Sequence, residues 1–200
     1  MPAKTPSAVV LEGRHVRLEP LTAHHVPGLF TAGADDEEIW RWLPVPAPRT
    51  PDDLRATAEK LLADAERRTL VPFAVIDRAT GRPLGWTTYL EIEERDERLE
   101  IGWTWYVRSA WRTAVNSEAK LLLLTHAFEE LGYGRVQWKT HHRNERSQQA
   151  IARLGAVKEG VLRRHKLQAD GSWRDSVYFS MLADEWPAAK ANLMKRLARG

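Results

Sequence analysis

The chain has 200 residues, 43% of them hydrophobic, and its 30 Lys and Arg outnumber its 27 Asp and Glu by only three. This composition is typical of one globular domain, and so small a charge excess does not indicate a nucleic acid partner. The chain contains no cysteine and no apolar run of about 18 residues, which excludes disulfides, thiolate metal sites, cysteine nucleophiles and membrane-spanning helices. The first residues lack the apolar core of a secretion signal, so we expect a cytoplasmic protein without a membrane partner.

Turn-forming residues and alternation organise the first third of the chain. Residues 1–8 are mostly small, with two prolines, and predict a flexible tail ahead of one domain over residues 9–200. The alternating segment 15–19 predicts a first strand. Helices are predicted over 24–32, with Thr22 as the cap, and around 38–43. Thr50 and Pro51 then open a third helix, because threonine caps helices and proline suits their first turn.

Short strands dominate the middle of the chain. Segments 71–76, 84–92 and 99–107 predict an antiparallel meander. The sequence AKLLLLTHAFEELGYG, residues 119–134, is apolar on most faces and predicts a buried helix that ends at Gly132. A strand over 135–140, a helix over 147–154 that ends at Gly155, a hairpin around Asp170 and Gly171, and a helix over 185–197 complete the chain.

The order of these elements predicts the type of sheet. The unit formed by strand 99–107, the buried helix and strand 135–140 implies that these two strands run parallel. The predicted fold class is therefore α/β (α+β), with a mixed, mostly antiparallel sheet of about seven strands.

The loop between strand 99–107 and the buried helix is the predicted anion site. The first amides of a helix lack intrahelical partners, and the peptide dipoles add positive potential there. Thr113, Ala114 and Ser117 allow close backbone approach, and Arg112 adds a guanidinium suited to phosphate. The alternative is that Asn116 or Ser117 merely caps the helix.

Two blocks in the second half of the chain carry a family pattern. The loop 111–116 reads WRTAVN, and the segment 140–160 reads THHRNERSQQAIARLGAVKEG. Both resemble the acyl-CoA-binding core of GNAT acetyltransferases, especially the branch typified by the ribosomal-protein N-terminal acetylases. In that family the loop reads Gln or Arg, two residues, Gly, one residue, then Gly or Ala, whereas here Ala114 and Asn116 occupy the two small positions. Because alanine tolerates positive φ poorly, we expect a retained phosphate site with altered geometry.

The resemblance implies a fold and an activity. It implies a GNAT fold with helices on both faces of the sheet, and direct attack of a primary amine on acyl-CoA within a ternary complex. The co-substrate would be acetyl-CoA, or another acyl-CoA such as succinyl-CoA, with no metal. The acceptor would be a small molecule or a protein N-terminus, and the enzyme a monomer or homodimer. Two alternatives stay open: a non-catalytic acyl-CoA binder or sensor, and a basic protein that interacts with nucleic acid or the ribosome.

The resemblance also assigns the cofactor-binding residues. The backbone of residues 105–107 is expected to pair with pantetheine like an added strand, with the Tyr106 amide facing the thioester oxygen. Asn144 is expected to position the following turn and to touch the pantetheine arm. The full expected set is Trp105, Tyr106, Val107, Arg112, Thr113, Ala114, Val115, Asn116, Ser117, Asn144 and Ser147.

Two residues are predicted to be catalytic. Ser147 occupies the position where relatives place a hydroxyl near the CoA sulfur, and the alternative is that it only caps its helix. Glu100 is the candidate general base, acting through a water, because strand alternation separates its face from that of Leu99 and Ile101. The alternative for Glu100 is an exposed carboxylate paired with Arg98 or with a neighbouring strand.

Aromatic residues and a histidine are the predicted acceptor-binding residues. Trp40, Trp86 and Trp103 lie on segments that surround the acceptor tunnel in relatives, although core packing is the alternative. His141 follows the strand where the sheet of relatives opens, and it could relay a proton. The basic run 163–166 could meet the CoA 3′-phosphate, an acidic acceptor or RNA, or form a solvated strand face. No histidine spacing indicates a metal site.

Overall fold

A computed structural model describes residues 2–168 and 171–198. Its centre is an eight-stranded sheet in the order β1-β2-β3-β4-β5-β6-β8-β7. The strands are β1 (Leu11–Glu12), β2 (Val16–Pro20), β3 (Leu70–Asp77), β4 (Pro83–Glu93), β5 (Arg98–Tyr106), β6 (Arg135–His141), β7 (Val157–Leu167) and β8 (Trp173–Leu182). The helices are α1 (His25–Leu29), α2 (Glu37–Trp40), α3 (Pro51–Glu66), α4 (Ala114–Thr125), α5 (Glu145–Ala152) and α6 (Trp186–Leu197).

The predicted type of sheet is confirmed. All strand pairs are antiparallel except β5 and β6, which run parallel and are joined through α4. The eighth strand is β1, whose two residues pair with β2 across the turn at Gly13. So short a pair has no periodicity of its own, and the sequence therefore predicted one strand fewer.

Helix starts follow local capping chemistry. At α3 the Thr50 hydroxyl accepts the Asp53 amide at 3.2 Å, while the Asp53 carboxylate accepts the Thr50 amide at 2.9 Å, so the predicted start is confirmed as a capping box. The prediction of Thr22 as the cap of the first helix is wrong. His24 occupies that position without a side-chain cap, because the Thr22 hydroxyl instead contacts His25 Nδ1 at 3.1 Å.

The predicted first helix is also interrupted. After α1 the chain forms a π-helical turn over Phe30–Ala34, and Gly33 adopts φ 108°. The buried helix α4 likewise continues as a π-helical turn over His126–Glu130, and Gly132 follows with φ 79°. In the last hairpin Asp170 lies outside the described residues, and Gly171 has φ 81°.

Helices cover the sheet and complete the core. Seven of the eight residues of β3 are buried, so both faces of the sheet are covered at its middle. On one side α1 and α3 contact each other, and elsewhere α4 contacts α6 and β2. No helix among the described residues is long and apolar enough to cross a membrane.

Part of the predicted flexible tail is docked against the domain. The Lys4 amide donates to the Leu131 carbonyl at 2.8 Å, and the Ala3 amide donates to the Glu94 carbonyl at 3.3 Å. The Ala3 side chain is buried. The flexibility of residues 1–8 and the single domain over 9–200 stay predictions, and Met1, Arg199 and Gly200 lie outside the described residues.

A buried carboxylate ties the N-terminal turn to α4. Glu118 accepts the backbone N–H groups of Arg14, His15 and Val16 at 2.8, 2.6 and 2.7 Å. A Cβ on Gly13 would lie 2.6 Å from the Glu118 carboxyl carbon, so the turn needs glycine to approach the helix. This contact fixes the first part of α4, which borders the site described below.

We expect Glu118→Gln to lower the free energy of unfolding by about 2–4 kcal/mol, because an amide loses the charge and presents an NH₂ group to backbone donors. Urea denaturation measures the change, and Glu59→Gln on the exposed face of α3 serves as the control. Equal stability of the two variants would contradict this account of the contact.

Candidate active site

The parallel strands β5 and β6 separate and leave a gap in the sheet. They pair only at Arg98–Arg135, Leu99–Val136 and Glu100–Gln137. Beyond this point β5 continues to Tyr106 on β4, and β6 continues to His141 on β8, but the two strands no longer pair with each other. Backbone groups on the facing edges are therefore open to a ligand, and Glu100 lies at the apex of the gap.

A cavity of about 1240 Å³ occupies this gap. It is lined by side chains from α2 and its following loop, β4, β5, the β5–α4 loop, α4, β6, α5, β7, β8 and α6. Among the described residues, nine basic side chains line it against two acidic ones. The basic residues are Arg108, Arg112, Lys120, Lys139, Arg146, Arg153, Lys166, Arg174 and Arg196. The cavity therefore favours an anionic ligand.

A bulge in β5 directs backbone groups into the gap. Two β5 residues, Trp103 and Thr104, face only Thr87 of β4, and Trp103 adopts φ 48°. Beyond the bulge the Val107 amide donates to the Leu84 carbonyl at 2.8 Å, and Gly85 pairs with Tyr106. Because hydrogen-bonded and non-hydrogen-bonded pairs alternate, the backbone groups of Tyr106 point away from β4 and into the gap.

The same alternation separates the three residues predicted to pair with pantetheine. Trp105 and Val107 direct their backbone groups toward β4, whereas Tyr106 directs its N–H group toward the gap. The Tyr106 carbonyl accepts the Trp111 indole N–H at 2.9 Å. Trp105 and Tyr106 line the cavity, and the Val107 side chain is buried in the core.

The predicted anion loop leads into the first turn of α4. Thr113 caps this helix by accepting the Val115 amide at 3.3 Å, so the alternative that Asn116 or Ser117 is the cap is wrong. The positive φ of the loop, 63°, falls on Arg112 rather than on Ala114, which is already helical. The absence of glycine at position 114 therefore causes no backbone strain here.

Two further basic side chains, Arg108 and Arg146, lie beside this loop. The Arg146 guanidinium lies 3.6 Å from the centre of the Trp111 ring, which also carries Arg108 at 5.1 Å. Arg108 forms a two-point ion pair with Asp36 at 2.5 and 2.9 Å, which fixes its orientation. Arg112 of the loop and Arg146 of α5 form no ion pair among the described residues, and the charges of Glu38 and Asp36 act on Arg146 only from a longer distance.

The turn before α5 places Ser147 in the cavity wall. Asn144 caps this helix by accepting the Ser147 amide at 3.1 Å. The alternative in which Ser147 is the cap is therefore wrong. The helix begins at Glu145, two residues before the predicted start at Ser147. Within the described part of the chain the Ser147 hydroxyl has no hydrogen-bond partner, and it lines the cavity.

Glu100 is buried and paired with a strand neighbour. Its Oε2 lies 2.8 Å from Lys139 Nζ and 3.5 Å from Gln137 Nε2. Lys139 also pairs with Glu91. Burial raises the pKa of Glu100 while Lys139 opposes that rise. The alternative that Glu100 is an exposed carboxylate is wrong, although it does pair with a neighbouring strand.

The predicted acceptor aromatics divide into two groups. Trp40, Trp86 and Trp105 form a buried cluster with ring centres 4.8 to 5.9 Å apart. Only Trp105 of these three lines the cavity, so Trp40 and Trp86 support the cavity wall from behind. Trp103 lines the cavity directly.

His141 lies in an aromatic stack at the end of β6, where the gap between β5 and β6 is open. Its ring lies 4.6 Å from Trp42 and 4.5 Å from His142, and its Nδ1 accepts the Arg143 amide at 3.0 Å. Burial, followed by the neighbouring His142, lowers the pKa of His141 to about 4. His141 is therefore neutral near pH 7, and it lines the cavity with Trp42.

Lys120 is a buried amine that sequence reasoning missed. Its Nζ donates to the Thr87 and Thr104 hydroxyls at 3.1 and 3.0 Å, and it has no carboxylate partner among the described residues. Burial lowers the pKa of Lys120 to about 7. The one available signal was its position inside the apolar helix, where a lysine interrupts the buried face.

No group of three or more His, Asp or Glu side chains among the described residues is placed to hold a metal ion. The cavity chemistry is thus that of basic side chains, hydroxyls, backbone amides and one buried carboxylate.

Comparisons with known proteins agree with this geometry. A family model described as an acetyltransferase (GNAT) domain matches residues 15–157. The structure of a GCN5-related N-acetyltransferase from Brucella melitensis has 34% identity and a TM-score of 0.92, covering 98% of this chain and 88% of that one. YdaF of Bacillus subtilis (strain 168), named as a candidate ribosomal N-acetyltransferase, is 31% identical over 110 residues, 55% of this chain and 59% of that relative.

A third relative shows the fold alone. Mycobacterium smegmatis RimJ, solved in complex with CoA-disulfide, has 22% identity and a TM-score of 0.77, covering 98% of this chain and 93% of that one. The match to YdaF spans less than two thirds of that protein's length.

We expect Lys120→Met to be more stable than the wild type at pH 7, by roughly 2–5 kcal/mol, and this advantage to shrink toward pH 10. The pKa of Lys120 is lowered from 10.5 to about 7 in the folded protein. The unfolded chain therefore binds more protons between these values, and stability falls as pH falls through that window. We expect the Thr87–Thr104 hydrogen bond, 2.7 Å in the wild type, to remain in the variant.

Urea denaturation at pH 7 and pH 10 measures both stabilities, with Lys60→Met on the surface of α3 as the control. A difference between variant and wild type that does not change with pH would contradict the burial of an unpaired amine.

Proposed function

Because this chain belongs to the GNAT acetyltransferase family, we propose that it transfers the acetyl group of acetyl-CoA to a primary amine bound at the Trp42–His141 end of the cavity. The proposal rests mainly on one observation, the separation of β5 and β6 with the Tyr106 N–H group directed into the gap. A thioester placed there would have an amide donor for its oxygen and a basic loop for its phosphates.

The basic loop supports the CoA part of the proposal. The first turn of α4 adds amide donors and dipole potential to Arg112, and Arg146 lies across the same end of the cavity. Asn116 and Ser117 also line this end. The relative RimJ was solved with CoA-disulfide, and we propose that the CoA phosphates bind this chain at residues 112–117.

Acyl transfer needs a donor to the thioester oxygen, a donor to the leaving sulfur and a base for the amine. The Tyr106 amide would donate to the thioester oxygen as negative charge develops on it. The Ser147 hydroxyl, free of other partners, would donate to the sulfur as the thiolate leaves. Asn144 would hold that hydroxyl in place through the Ser147 amide.

Proton removal from the amine is assigned to Glu100. Its carboxylate lies at the apex of the gap, in the last pair before the strands diverge. A raised pKa makes a carboxylate a better base near neutral pH, and Lys139 keeps it charged for that role. A water between Glu100 and the amine would carry the proton.

The acceptor end has an apolar and aromatic wall. Trp42, Leu43 and Trp103 line it, and neutral His141 offers a ring nitrogen. Trp40 and Trp86 do not line the wall, but their rings pack against Trp105 and support it from behind. A protein N-terminus and a small amine both suit this wall, and the name of YdaF refers to ribosomal N-acetylation. Acetyl rather than succinyl transfer, a cytoplasmic location and a monomeric or homodimeric state are parts of the same proposal.

We expect Arg112→Ala to weaken acetyl-CoA binding by about tenfold, because a charge-assisted contact to phosphate is lost. Ser147→Ala should leave this affinity within about twofold and lower kcat, since the hydroxyl acts on the leaving thiolate. Calorimetric titration gives the affinities, and Arg95→Ala in the exposed β4–β5 turn is the control. Acetyl-CoA affinity unaffected by Arg112→Ala would contradict the phosphate site, and binding without turnover of any amine would indicate a non-catalytic acyl-CoA binder.

We expect Glu100→Gln to lower kcat by about 100-fold or more and to remove the acidic limb of the pH–rate profile, with acetyl-CoA affinity unchanged. Glu91→Gln is the matched control, because Glu91 shares the partner Lys139 but does not line the cavity. Equal losses in the two variants would show that Glu100 only holds Lys139 in place.

A further inference from the structure

The β7–β8 end of the cavity contains basic side chains without acidic partners. Arg174 of β8 and Lys166 of β7 lie opposite each other in the ladder, and both line the cavity. The Arg174 Nε is buried and has no hydrogen-bond partner. Neither side chain forms an ion pair with any residue in the described ranges.

Neighbouring acids are engaged elsewhere. Glu100 contacts Lys139 at 2.8 Å, and Asp175 Oδ1 accepts the Arg164 amide at 2.7 Å. His141 is neutral, since burial lowers its pKa to about 4. Burial also lowers the pKa of Arg174, and the charge of Glu100, which forms no ion pair with Arg174, opposes only part of that shift. A partly buried guanidinium without a hydrogen-bonded anion is costly to the fold, and a ligand anion would offset that cost.

This end of the cavity is distinct from the predicted phosphate end. The loop 112–117 follows β5, whereas Arg174 lies on the strand beyond β6, on the opposite side of the gap. The hairpin approaches the aromatic stack, because Gln168 Nε2 lies 3.5 Å from His141 Nε2. Arg174 thus lies where the acceptor, rather than the CoA phosphates, would bind.

We infer that the amine acceptor carries an anionic group, a carboxylate or a phosphate monoester, which binds the Arg174 fork while Lys166 adds positive charge. The inference rests on the proposed acetyl transfer, and it names the class of acceptor. Arginine suits the role because its planar guanidinium donates two parallel hydrogen bonds to either oxyanion. The apolar wall at Trp42 and Leu43 would contact the chain between amine and anion.

The test compares matched amines: 4-aminobutanoate, 4-aminobutanamide and 3-aminopropyl phosphate. Calorimetry measures their affinity for the protein saturated with CoA, and release of the CoA thiol measures turnover with acetyl-CoA separately. We expect at least one anionic amine to bind at least about tenfold more tightly than the amide, the value of a charge-assisted pair. The affinities of 4-aminobutanoate and 3-aminopropyl phosphate show whether the site prefers a carboxylate or a phosphate.

Arg174→Gln should reduce that preference to less than about threefold. Arg163→Gln is the control, because Arg163 is exposed on the same β-hairpin and does not line the cavity. Circular dichroism and unchanged acetyl-CoA affinity establish that Arg174→Gln is folded.

Equal binding of acids and amide, absence of binding by all three, or a preference that survives Arg174→Gln would overturn the inference. Turnover of the neutral amine without any anion preference would leave the acetyl transfer standing. Preferential binding of the anionic amines with no turnover of any amine would instead refute the proposed transfer and leave the anion site.

Discussion

The separation of β5 from β6 is the constraint on which the rest of this molecule depends. Two parallel strands that pair at only three positions leave backbone groups unsatisfied inside the domain. The bulge at Trp103 re-aims β5, and the Trp111 indole satisfies the Tyr106 carbonyl. The Tyr106 N–H group is left for a ligand. A single interruption of the sheet thus creates both the cavity and its main hydrogen-bond donor.

Helix α4 transmits this constraint to the rest of the fold. Glu118 binds the N-terminal turn through three backbone amides, and Lys120 reaches the threonines beside the bulge. The first turn of the same helix borders the basic end of the cavity. Polar residues inside an apolar helix therefore fix the helix to the two elements that shape the site.

Much of the fold could be predicted from the sequence, because its signals are local. Alternation and turn residues located the meander, the capping residues at Thr50 located α3, and the strand-helix-strand order predicted the parallel pair. The family resemblance carried by residues 111–116 and 140–160 is confirmed by the GNAT family model, which matches residues 15–157. A relative named for ribosomal acetylation also matches this chain.

The site was predicted less completely because its decisive features are non-local. The loop 112–117 and the Asn144–Ser147 turn could be identified from motifs. The positive φ at Arg112 could not be predicted from the sequence. The significance of Lys120 comes from its burial without a carboxylate contact, and that of Arg174 from a buried Nε without a hydrogen-bond partner among the described residues. Tertiary packing decides which side chains of a strand are buried. It also decides which acidic side chains already form ion pairs or hydrogen bonds.

A crystal structure of the protein grown with acetyl-CoA tests the central claim most directly. We expect the pantetheine arm between β5 and β6, its thioester oxygen within hydrogen-bond distance of the Tyr106 amide, and the diphosphate at residues 112–117. Acetyl-CoA bound outside this gap, or a gap filled by side chains in the presence of saturating ligand, would contradict it.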